Sequence, residues 1–301
     1  RKPHPCAPMR LRWPRTRRSG RWAASLRRHE AARGAAAGRS YNRGMPLRLP
    51  ELGPDPDAPF PPAGRALRDP DGLLAFGGDL SPGRLLNAYR HGVFPWFSDG
   101  QPILWWSPDP RMVFRTDGVH LASRFRRDLR RSSWVARADT AFDTVIGQCA
   151  AVPRPGQAGT WITATMREAY RRLHRLGHAH SVEVYAHEGP GAPLVGGIYG
   201  VAVGRMFFGE SMFSVASGGS KAALAALAHR LCAWGWPLLD AQVENPHLVA
   251  LGAQAWPRAE FLEAVSALCV QAGVPGSWRS RFGELPLATL ASREAHAGQP
   301  H

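Results

Sequence analysis

A single acid interrupts an apolar stretch in the last third of the chain, Leu238-Leu239-Asp240-Ala241-Gln242-Val243. The period of two in a strand would place the Asp240 carboxylate and the Gln242 amide on one face and the apolar side chains on the other. A carboxylate in an apolar strand is costly unless it has a partner or a chemical role. The pattern favours two interpretations equally: a catalytic pair, or a structural Asp that caps the following loop.

Glu210 is a second acid in an apolar setting, within segment 206–213 and directly after Gly209. Glycine inside a strand is typical of a bulge, which would leave Glu210 solvated. The alternative is a buried anion beside an aromatic pocket, which would suit a cationic group. The residue pattern alone favours the solvated bulge.

Aromatic and basic residues offer two less specific signals for nucleic acid. Tryptophan outside any periodic face can stack on a nucleobase, although it packs more often in a core. The tryptophans in Pro/Gly-rich contexts are Trp96, Trp105, Trp106 and Trp161. A basic helical run is either a solvated face or a phosphate contact. Its members are Arg124, Arg126, Arg127, Arg130 and Arg131.

The residue pattern predicts no metal site. His174, His178 and His180 straddle the expected end of a helix and start of a strand, so their spacing defines no ligand geometry. The glycines of segment 196–204 do not form the GxGxxG fingerprint of dinucleotide binding. The cysteines form no CxxC pair and are typical of reduced cytosolic thiols. They are Cys6, Cys149, Cys232 and Cys269.

The positive charge is distributed unevenly. The chain has 301 residues and a formal net charge of +15, but residues 1–44 contain 13 Lys or Arg against the single acid Glu30, which leaves only +3 for the other residues. Residues 1–44 have no periodic apolar pattern, so we expect a disordered Arg/Ala-rich extension upstream of a natural start at Met45. No apolar run approaches the roughly 18 residues of a membrane span, and we expect a cytoplasmic protein.

The pattern of elements predicts an α/β (α+β) protein with two domains. We expect a small N-terminal domain at 45–111, a second domain at 112–285 and a disordered tail at 286–301. Ser81-Pro82 has the residue types of a helix N-cap and first turn, which predicts a helix to Gly92. Periodicity predicts further helices at 124–131, 163–177, 221–234 and 258–272, and strands at 181–187, 194–203, 205–213 and 238–243.

Seven segments carry a resemblance to a known family. They are GLLAFGGDLS at 72–81, GVFPWF at 92–97, LWWSPDPR at 104–111, GTWI at 159–162, GHAHSVE at 177–183, FGESMFS at 208–214 and LDAQ at 239–242. Together, in this order, they closely resemble the bacterial leucyl/phenylalanyl-tRNA-protein transferases, and the match covers nearly all of residues 46–282.

The resemblance implies a cytoplasmic aminoacyltransferase whose second domain has the fold of the N-acetyltransferases (GNAT-like). The element order strand, strand, Gly/Ser loop, helix, strand agrees with that fold, although order alone is weak support. The implied donor is leucyl-, phenylalanyl- or sometimes methionyl-tRNA. The implied acceptor is a protein with N-terminal Arg or Lys, which the added residue marks for degradation. We expect a monomer that needs no cofactor.

The resemblance also assigns site residues. Asp240 and Gln242 match the catalytic pair, Trp96 and Trp161 match positions around the terminal adenosine, and Phe207 matches a position that lines the donor side-chain pocket. The other expected substrate-binding positions are Tyr89, Tyr170, Ile198, Glu210, Leu239 and Asn245.

The sequence departs from the family pattern at four positions. Val215 stands where Arg is common, Gly219 replaces Ala, Ile198 stands where Met is common and Ala250 replaces Ser. These changes affect the loop before the predicted helix at 221–234 and the donor pocket, and they leave the catalytic pair intact.

The reaction would be aminolysis of an ester, in which a neutral amine attacks a polarised carbonyl. We hypothesise that Asp240 orients and polarises Gln242, which contacts the amine, with direct base action by Asp240 as the alternative. One rival function is an acyl-CoA-dependent N-acetyltransferase, although the Q/R-x-x-G-x-G/A pyrophosphate loop of such enzymes is missing from residues 215–221. A tRNA-binding module without catalysis is the other rival.

Overall fold

The computed structural model describes residues 49–152 and 160–292. The expected extension at 1–44 lies outside the described residues, and so do residues 293–301 of the expected tail. Ordered elements continue to Ser292, because Leu287 and Leu290 are buried in the core. The tail boundary that we set at residue 286 is therefore too early.

Within these ranges, twelve strands form two sheets. The smaller sheet has the order β1-β2-β4-β3 and the larger has the order β11-β5-β10-β9-β8-β7-β6-β12. The strands are β1 (Glu51–Leu52), β2 (Leu73–Gly77), β3 (Phe94–Pro95), β4 (Leu104–Trp106), β5 (Arg111–Arg115), β6 (Val135–Ala138), β7 (Ala179–Tyr185), β8 (Leu194–Val203), β9 (Met206–Ser214), β10 (Leu238–Gln242), β11 (Gln254–Trp256) and β12 (Leu285–Pro286).

Eight α-helices accompany the sheets in the described part of the chain. They are α1 (Pro82–Arg90), α2 (Ser123–Arg131), α3 (Phe142–Ala151), α4 (Ala164–Arg175), α5 (Gly219–Ala233), α6 (Pro246–Ala250), α7 (Arg258–Cys269) and α8 (Arg279–Phe282). Short 3-10 helices lie at Ala63–Arg65 and Leu287–Ser292. None of these helices is long and apolar enough to cross a membrane.

Local sequence signals explain the two helices that support the site. Helix α1 begins after Ser81, whose side chain accepts a hydrogen bond from the Arg84 N–H at 3.3 Å. Thr163 caps α4 in the same way, through the Met166 N–H at 3.2 Å. An N-cap oxygen satisfies a backbone donor that the first turn leaves unpaired. Both predicted helices are confirmed, and Tyr170 lies on the buried stripe of α4.

The central strands part in the middle of the large sheet. Strands β9 and β10 are parallel and joined through α5, the kind of crossover that parallel pairing requires. Their pairing runs from Leu238 opposite Met206 to Asp240 opposite Phe208. Beyond those residues β9 stays paired with β8 and β10 with β5. The ends of β9 and β10 therefore separate and leave a cleft.

Hydrophobic clusters cover both faces of the large sheet. One cluster contains Leu74 and Trp105 of the small sheet together with Tyr199 and Phe208 of the large sheet. The other packs α5 against the opposite face, together with Trp278. The mixed first cluster shows that the small sheet shares a core with the large one.

Candidate active site

The cleft between the parted strands contains a cavity of about 310 Å³. One wall comes from β9, with Glu210 and Met212, and the other from β10, with Asp240 and Gln242. Strand ends that leave a sheet supply backbone and side-chain polar groups to a concave site, a common setting for ligand binding. The cavity thus brings together the three polar residues singled out from the sequence.

A larger hollow of about 450 Å³ lies at another edge of the sheet. Its lining includes Arg137, Tyr185 and Glu284, and the Arg137 guanidinium is paired with Glu284 at 2.6 Å. No residue singled out as a site residue borders this hollow. The smaller cavity is therefore the candidate active site.

Asp240 is held by a buried arginine. The Arg111 guanidinium donates from Nε to Oδ1 of Asp240 at 2.8 Å and from Nη2 to Oδ2 at 2.7 Å. Both residues are 0% exposed, and Arg111 also donates to the Gly92 carbonyl at 3.1 Å. A bidentate pair of this geometry is strong and directional. Both carboxylate oxygens of Asp240 are therefore engaged.

Gln242 adopts a backbone conformation that breaks the expected alternation. Its φ is +61°, and the pairing of β10 with β5 shifts register between Asp240 and Gln242. Asp240 Oδ1 accepts the Gln242 backbone N–H at 2.9 Å, which stabilises this unusual conformation. Both residues line the same cavity although the strand is irregular between them, and Asp240 contacts the backbone of Gln242.

Glu210 is the centre of a buried hydrogen-bond network. Tyr89 Oη donates to Oε1 at 2.7 Å, Tyr170 Oη donates to Oε2 at 2.9 Å, and Gln242 Nε2 donates to Oε1 at 2.9 Å. The register shift at Tyr199 confirms a bulge, but Glu210 is only 8% exposed. The local preference for a solvated Glu210 is wrong, because the side chain is buried among its partners Tyr89, Tyr170 and Gln242.

Burial changes the acidity of these groups. Removal from water raises the pKa of Glu210 to about 7; hydrogen bonds from Tyr89 and Tyr170 oppose this rise, and the nearby Asp240 charge adds to it. Burial and the Glu210 charge raise the pKa of both tyrosines well above the usual value. The tyrosine hydroxyls therefore keep their protons at neutral pH, while Glu210 titrates there.

The cavity walls contain most of the remaining predicted residues. Trp96, Trp161, Ile198, Leu239 and Asn245 all line the cavity. The Asn245 side chain also caps α6 by accepting the His247 N–H at 2.8 Å. Tyr89 and Tyr170 are 0% exposed and lie behind Glu210.

The structure places three other aromatic candidates elsewhere. Trp105 and Trp106 are buried, with indole N–H groups donating to the carbonyls of Gly77 and Trp96. Phe207 does not line the cavity. It packs against Trp278, with the two ring centroids 5.7 Å apart. Strand alternation turns Phe207 to the opposite face from Phe208 before β9 and β10 part.

Sequence reasoning missed Arg111 as the partner of Asp240, and missed Glu244 and His247, which line the cavity. A lone arginine at the start of the apolar strand β5 was the available signal for Arg111, because a buried cation requires an acid. In the described residues, no group of three or more His, Cys, Asp or Glu could hold a metal ion.

A concave site with a buried acid of raised pKa, a buried amide and aromatic walls is typical of an enzyme. The fold and the site are thus those of an α/β enzyme whose candidate reacting groups lie where two parallel strands part.

Comparisons with known proteins identify the family. Residues 113–266 match the leucyl/phenylalanyl-tRNA protein transferase family, and residues 78–109 match the N-terminal domain of that family. The chain belongs to the leucyl/phenylalanyl-tRNA-protein transferase family.

Individual relatives agree with this assignment. The leucyl/phenylalanyl-tRNA-protein transferase of Xanthomonas oryzae pv. oryzae is 70% identical over 240 residues, 79% of this chain and 94% of that protein. That of Xylella fastidiosa is 63% identical over 233 residues, 77% of this chain and 94% of that protein. The solved structure of L-PGS from Bacillus licheniformis has a TM-score of 0.30 at 11% identity, covering 65% of this chain and 73% of that chain, and no conclusion rests on it.

Proposed function

We propose that this protein is an aminoacyltransferase that moves Leu or Phe from a charged tRNA onto the N-terminal residue of an acceptor protein. The observation that carries the proposal is the cluster of Glu210, Asp240 and Gln242 in an aromatic-walled cleft, in a chain that belongs to the family. Amide formation from the tRNA ester requires a bound amine and a polarised carbonyl, which these groups can serve.

In this proposal the acceptor begins with Arg or Lys. Glu210 and Glu244 both line the cleft, whereas the charge of Asp240 is compensated by Arg111. Acids inside a low-dielectric cleft attract a cation. They therefore favour an acceptor whose terminal ammonium and side chain are both positive. The added residue then marks the acceptor for degradation.

The donor end occupies the aromatic part of the cleft. Trp96 and Trp161 offer ring surfaces for the terminal adenosine, and stacking of this kind tolerates any base. Ile198, Met212 and Leu224 form an apolar wall that suits the side chain of Leu, Phe or Met.

Asp240 acts as a positioning residue in this scheme. Its bond to the Gln242 N–H holds β10 in the bulged conformation, and that conformation aims the Gln242 amide into the cleft beside Glu210. Gln242 can then contact the attacking amine.

Helix α2 offers a surface for the tRNA phosphates. Phe125 of α2 packs beside Gly218, and the Lys221 ammonium lies 6.0 Å from the Phe125 ring centroid. Burial, and then the charge of Lys221, lower the pKa of His247, which lies on the cavity wall. We propose that the arginines of α2, which lie on the same helix as Phe125, contact phosphates.

The parting of β9 and β10 around the proposed acyl-transfer site supports an N-acetyltransferase-like second domain at 112–285, after a small N-terminal domain that ends at residue 111. Acyl-CoA as donor is the alternative. The loop at 215–221 lacks the expected pyrophosphate motif, which favours tRNA.

Transfer assays test the function. Labelled Leu-, Phe-, Met- and Val-tRNA are each incubated with peptides that differ only in an N-terminal Arg, Lys or Ala. We expect products from Leu- and Phe-tRNA with the Arg and Lys peptides. Acetyl-CoA is tested in parallel, and its use would support the alternative. Absence of product from every charged tRNA would overturn the proposal.

A further inference from the structure

Three buried groups form a closed ring beneath the cleft. Tyr89 Oη and Tyr170 Oη each contact one carboxylate oxygen of Glu210, at 2.7 and 2.9 Å. The two hydroxyl oxygens are also only 2.6 Å from each other, within hydrogen-bond distance. The ring therefore contains three oxygen–oxygen contacts, each of which needs one hydrogen.

The number of hydrogens depends on the charge of Glu210. Each tyrosine hydroxyl supplies one hydrogen, and an ionised carboxylate supplies none. With Glu210 ionised, two hydrogens serve three contacts, and one pair of oxygens meets without a hydrogen between them. A protonated Glu210 supplies the third hydrogen and completes a cyclic chain of donors and acceptors. Protonation of Glu210 therefore gives each of the three oxygen–oxygen contacts its own hydrogen.

Asp240 has no contact that an added proton would complete. Its oxygens already accept two hydrogen bonds from Arg111 and one from the Gln242 N–H. A proton on Asp240 would displace part of this bidentate pairing and leave the buried Arg111 charge uncompensated. The two acids of the cleft are therefore unequal as proton acceptors.

We infer that the ring of Glu210, Tyr89 and Tyr170, and not Asp240, accepts the proton that the acceptor α-ammonium loses before attack. This inference rests on the proposed function. The amine then forms the N–C bond to the tRNA-linked carbonyl, the C–O bond to the ribose breaks, and the second proton of the nitrogen passes to the departing ribose oxygen. Glu210 later releases its proton to water.

The charged and titratable neighbours agree with this role. Asp240 on β10 raises the pKa of Glu210, and burial is the largest cause of its rise to about 7, close to the pH at which a base must work. The Arg111 cation is directed at Asp240, and Gln242 donates to Glu210. Tyr199 on β8 packs 5.6 Å from the Tyr170 ring, outside the three ring contacts.

Single-turnover transfer from Phe-tRNA to an Arg-started peptide, measured from about pH 5.5 to pH 9.5 at saturating acceptor, tests the inference. In the wild type we expect the rate to fall in acid with a midpoint near pH 7. In E210Q only the amine's own ionisation remains, so the midpoint moves to about pH 8, the usual α-amine pKa. At pH 7 the variant then has roughly a tenth of its own high-pH rate, and its activity is restored at high pH.

Matched variants separate the ring from general packing. Y89F and Y170F each remove a donor to the ionised carboxylate, so the midpoint should move upward by less than in E210Q. Y199F removes a neighbouring buried hydroxyl outside the ring and should keep the wild-type midpoint. If Glu210 only binds the cationic acceptor, E210Q raises KM while wild type and variant share one midpoint, and the inference is wrong.

Infrared difference spectra of the free protein supply a readout that does not depend on transfer. We expect a protonated-carboxyl band that titrates near pH 7 in the wild type and is missing from E210Q. Its absence in the wild type would overturn the inference even if transfer is observed. A titrating band in a protein that transfers no amino acid would instead show that the proposed function failed.

Discussion

This protein has two buried clusters that are each centred on a carboxylate, and the two carboxylates differ in how completely they are hydrogen-bonded. The Glu210 cluster borders the cleft and leaves one oxygen contact without a hydrogen when the acid is ionised. The Asp139 cluster, on the other side of the sheet, consists of Asp139, His180 and Trp278. There the carboxylate accepts from His180 Nδ1 at 2.9 Å and from the Trp278 N–H at 2.7 Å.

The pKa of the two acids moves in opposite directions. Donation from His180 and from backbone N–H groups lowers the pKa of Asp139 despite its burial, whereas burial raises the pKa of Glu210 to about 7. His180 also stacks on Trp278 with ring centroids 3.9 Å apart. The fully hydrogen-bonded Asp139 carboxylate holds the C-terminal segment against the sheet. The Glu210 carboxylate, which has too few donors when ionised and borders a cavity, is available for proton transfer.

The largest effect is expected from breaking the Arg111–Asp240 pair. R111M should lower the free energy of unfolding by about 3–5 kcal/mol and abolish transfer, because it leaves a buried carboxylate unpaired. The double variant R111M/D240L should regain most of the stability without regaining transfer. Urea unfolding measures the first quantity and the Phe-tRNA assay the second. Equal stability of the single and double variants would contradict a buried ion pair.

Replacing Glu210 should stabilise the protein above neutral pH. An acid whose folded pKa is raised takes up a proton on folding, so its ionisation costs stability as pH rises from about 4.5 to 7. E210Q should therefore match wild type near pH 5 and exceed it by up to about 3 kcal/mol at pH 8. Urea unfolding at both pH values measures the difference. A gain that is the same at both pH values would argue against a buried, titrating Glu210.

Asp139 should show the opposite pH dependence. D139N keeps the size of the side chain, and asparagine tolerates the positive φ of +55° at this position. The loss of charge should reduce stability at pH 7 by about 1.5–3 kcal/mol, the range for hydrogen bonds to a charged group. Because the folded pKa is lowered, this loss should vanish as pH falls through that pKa. Transfer by the folded variant should be unchanged.

The sequence pattern predicted the helix starts and the buried helix face correctly, because these features depend on residues close together in the chain. The caps at Ser81 and Thr163 and the buried stripe of α4 follow from neighbours within one helical turn, and both helices are confirmed. The strands of the large sheet at 194–203 and 206–214 also lie close to their predicted bounds.

The chemistry of the site depends on distant contacts, which such patterns do not contain. Arg111 and Asp240 are 129 positions apart, and Tyr89 and Glu210 are 121 apart. The resemblance therefore supplied candidate site residues, whereas their hydrogen bonds and the burial of Glu210 required the structure.

A smaller effect is expected at the donor wall. W96A should raise the KM for Phe-tRNA by about 5- to 150-fold, because loss of a base-stacking ring costs about 1–3 kcal/mol. W105F is the matched control: Trp105 is 0% exposed and donates to the Gly77 carbonyl. It should lower thermal stability and leave this KM unchanged. An unchanged KM in W96A would remove Trp96 from the donor site.

The smallest effect is expected at the arginines of α2. R124A/R127A should weaken tRNA binding only modestly at moderate salt, but it should reduce the slope of log K against log salt by about 1.5, because each phosphate contact contributes about 0.7–0.9. The control R171A/R175A removes the same charge from α4, where those side chains pair with Asp143 and Glu168. If both double variants change the slope equally, the arginines of α2 act through net charge and not through phosphate contacts.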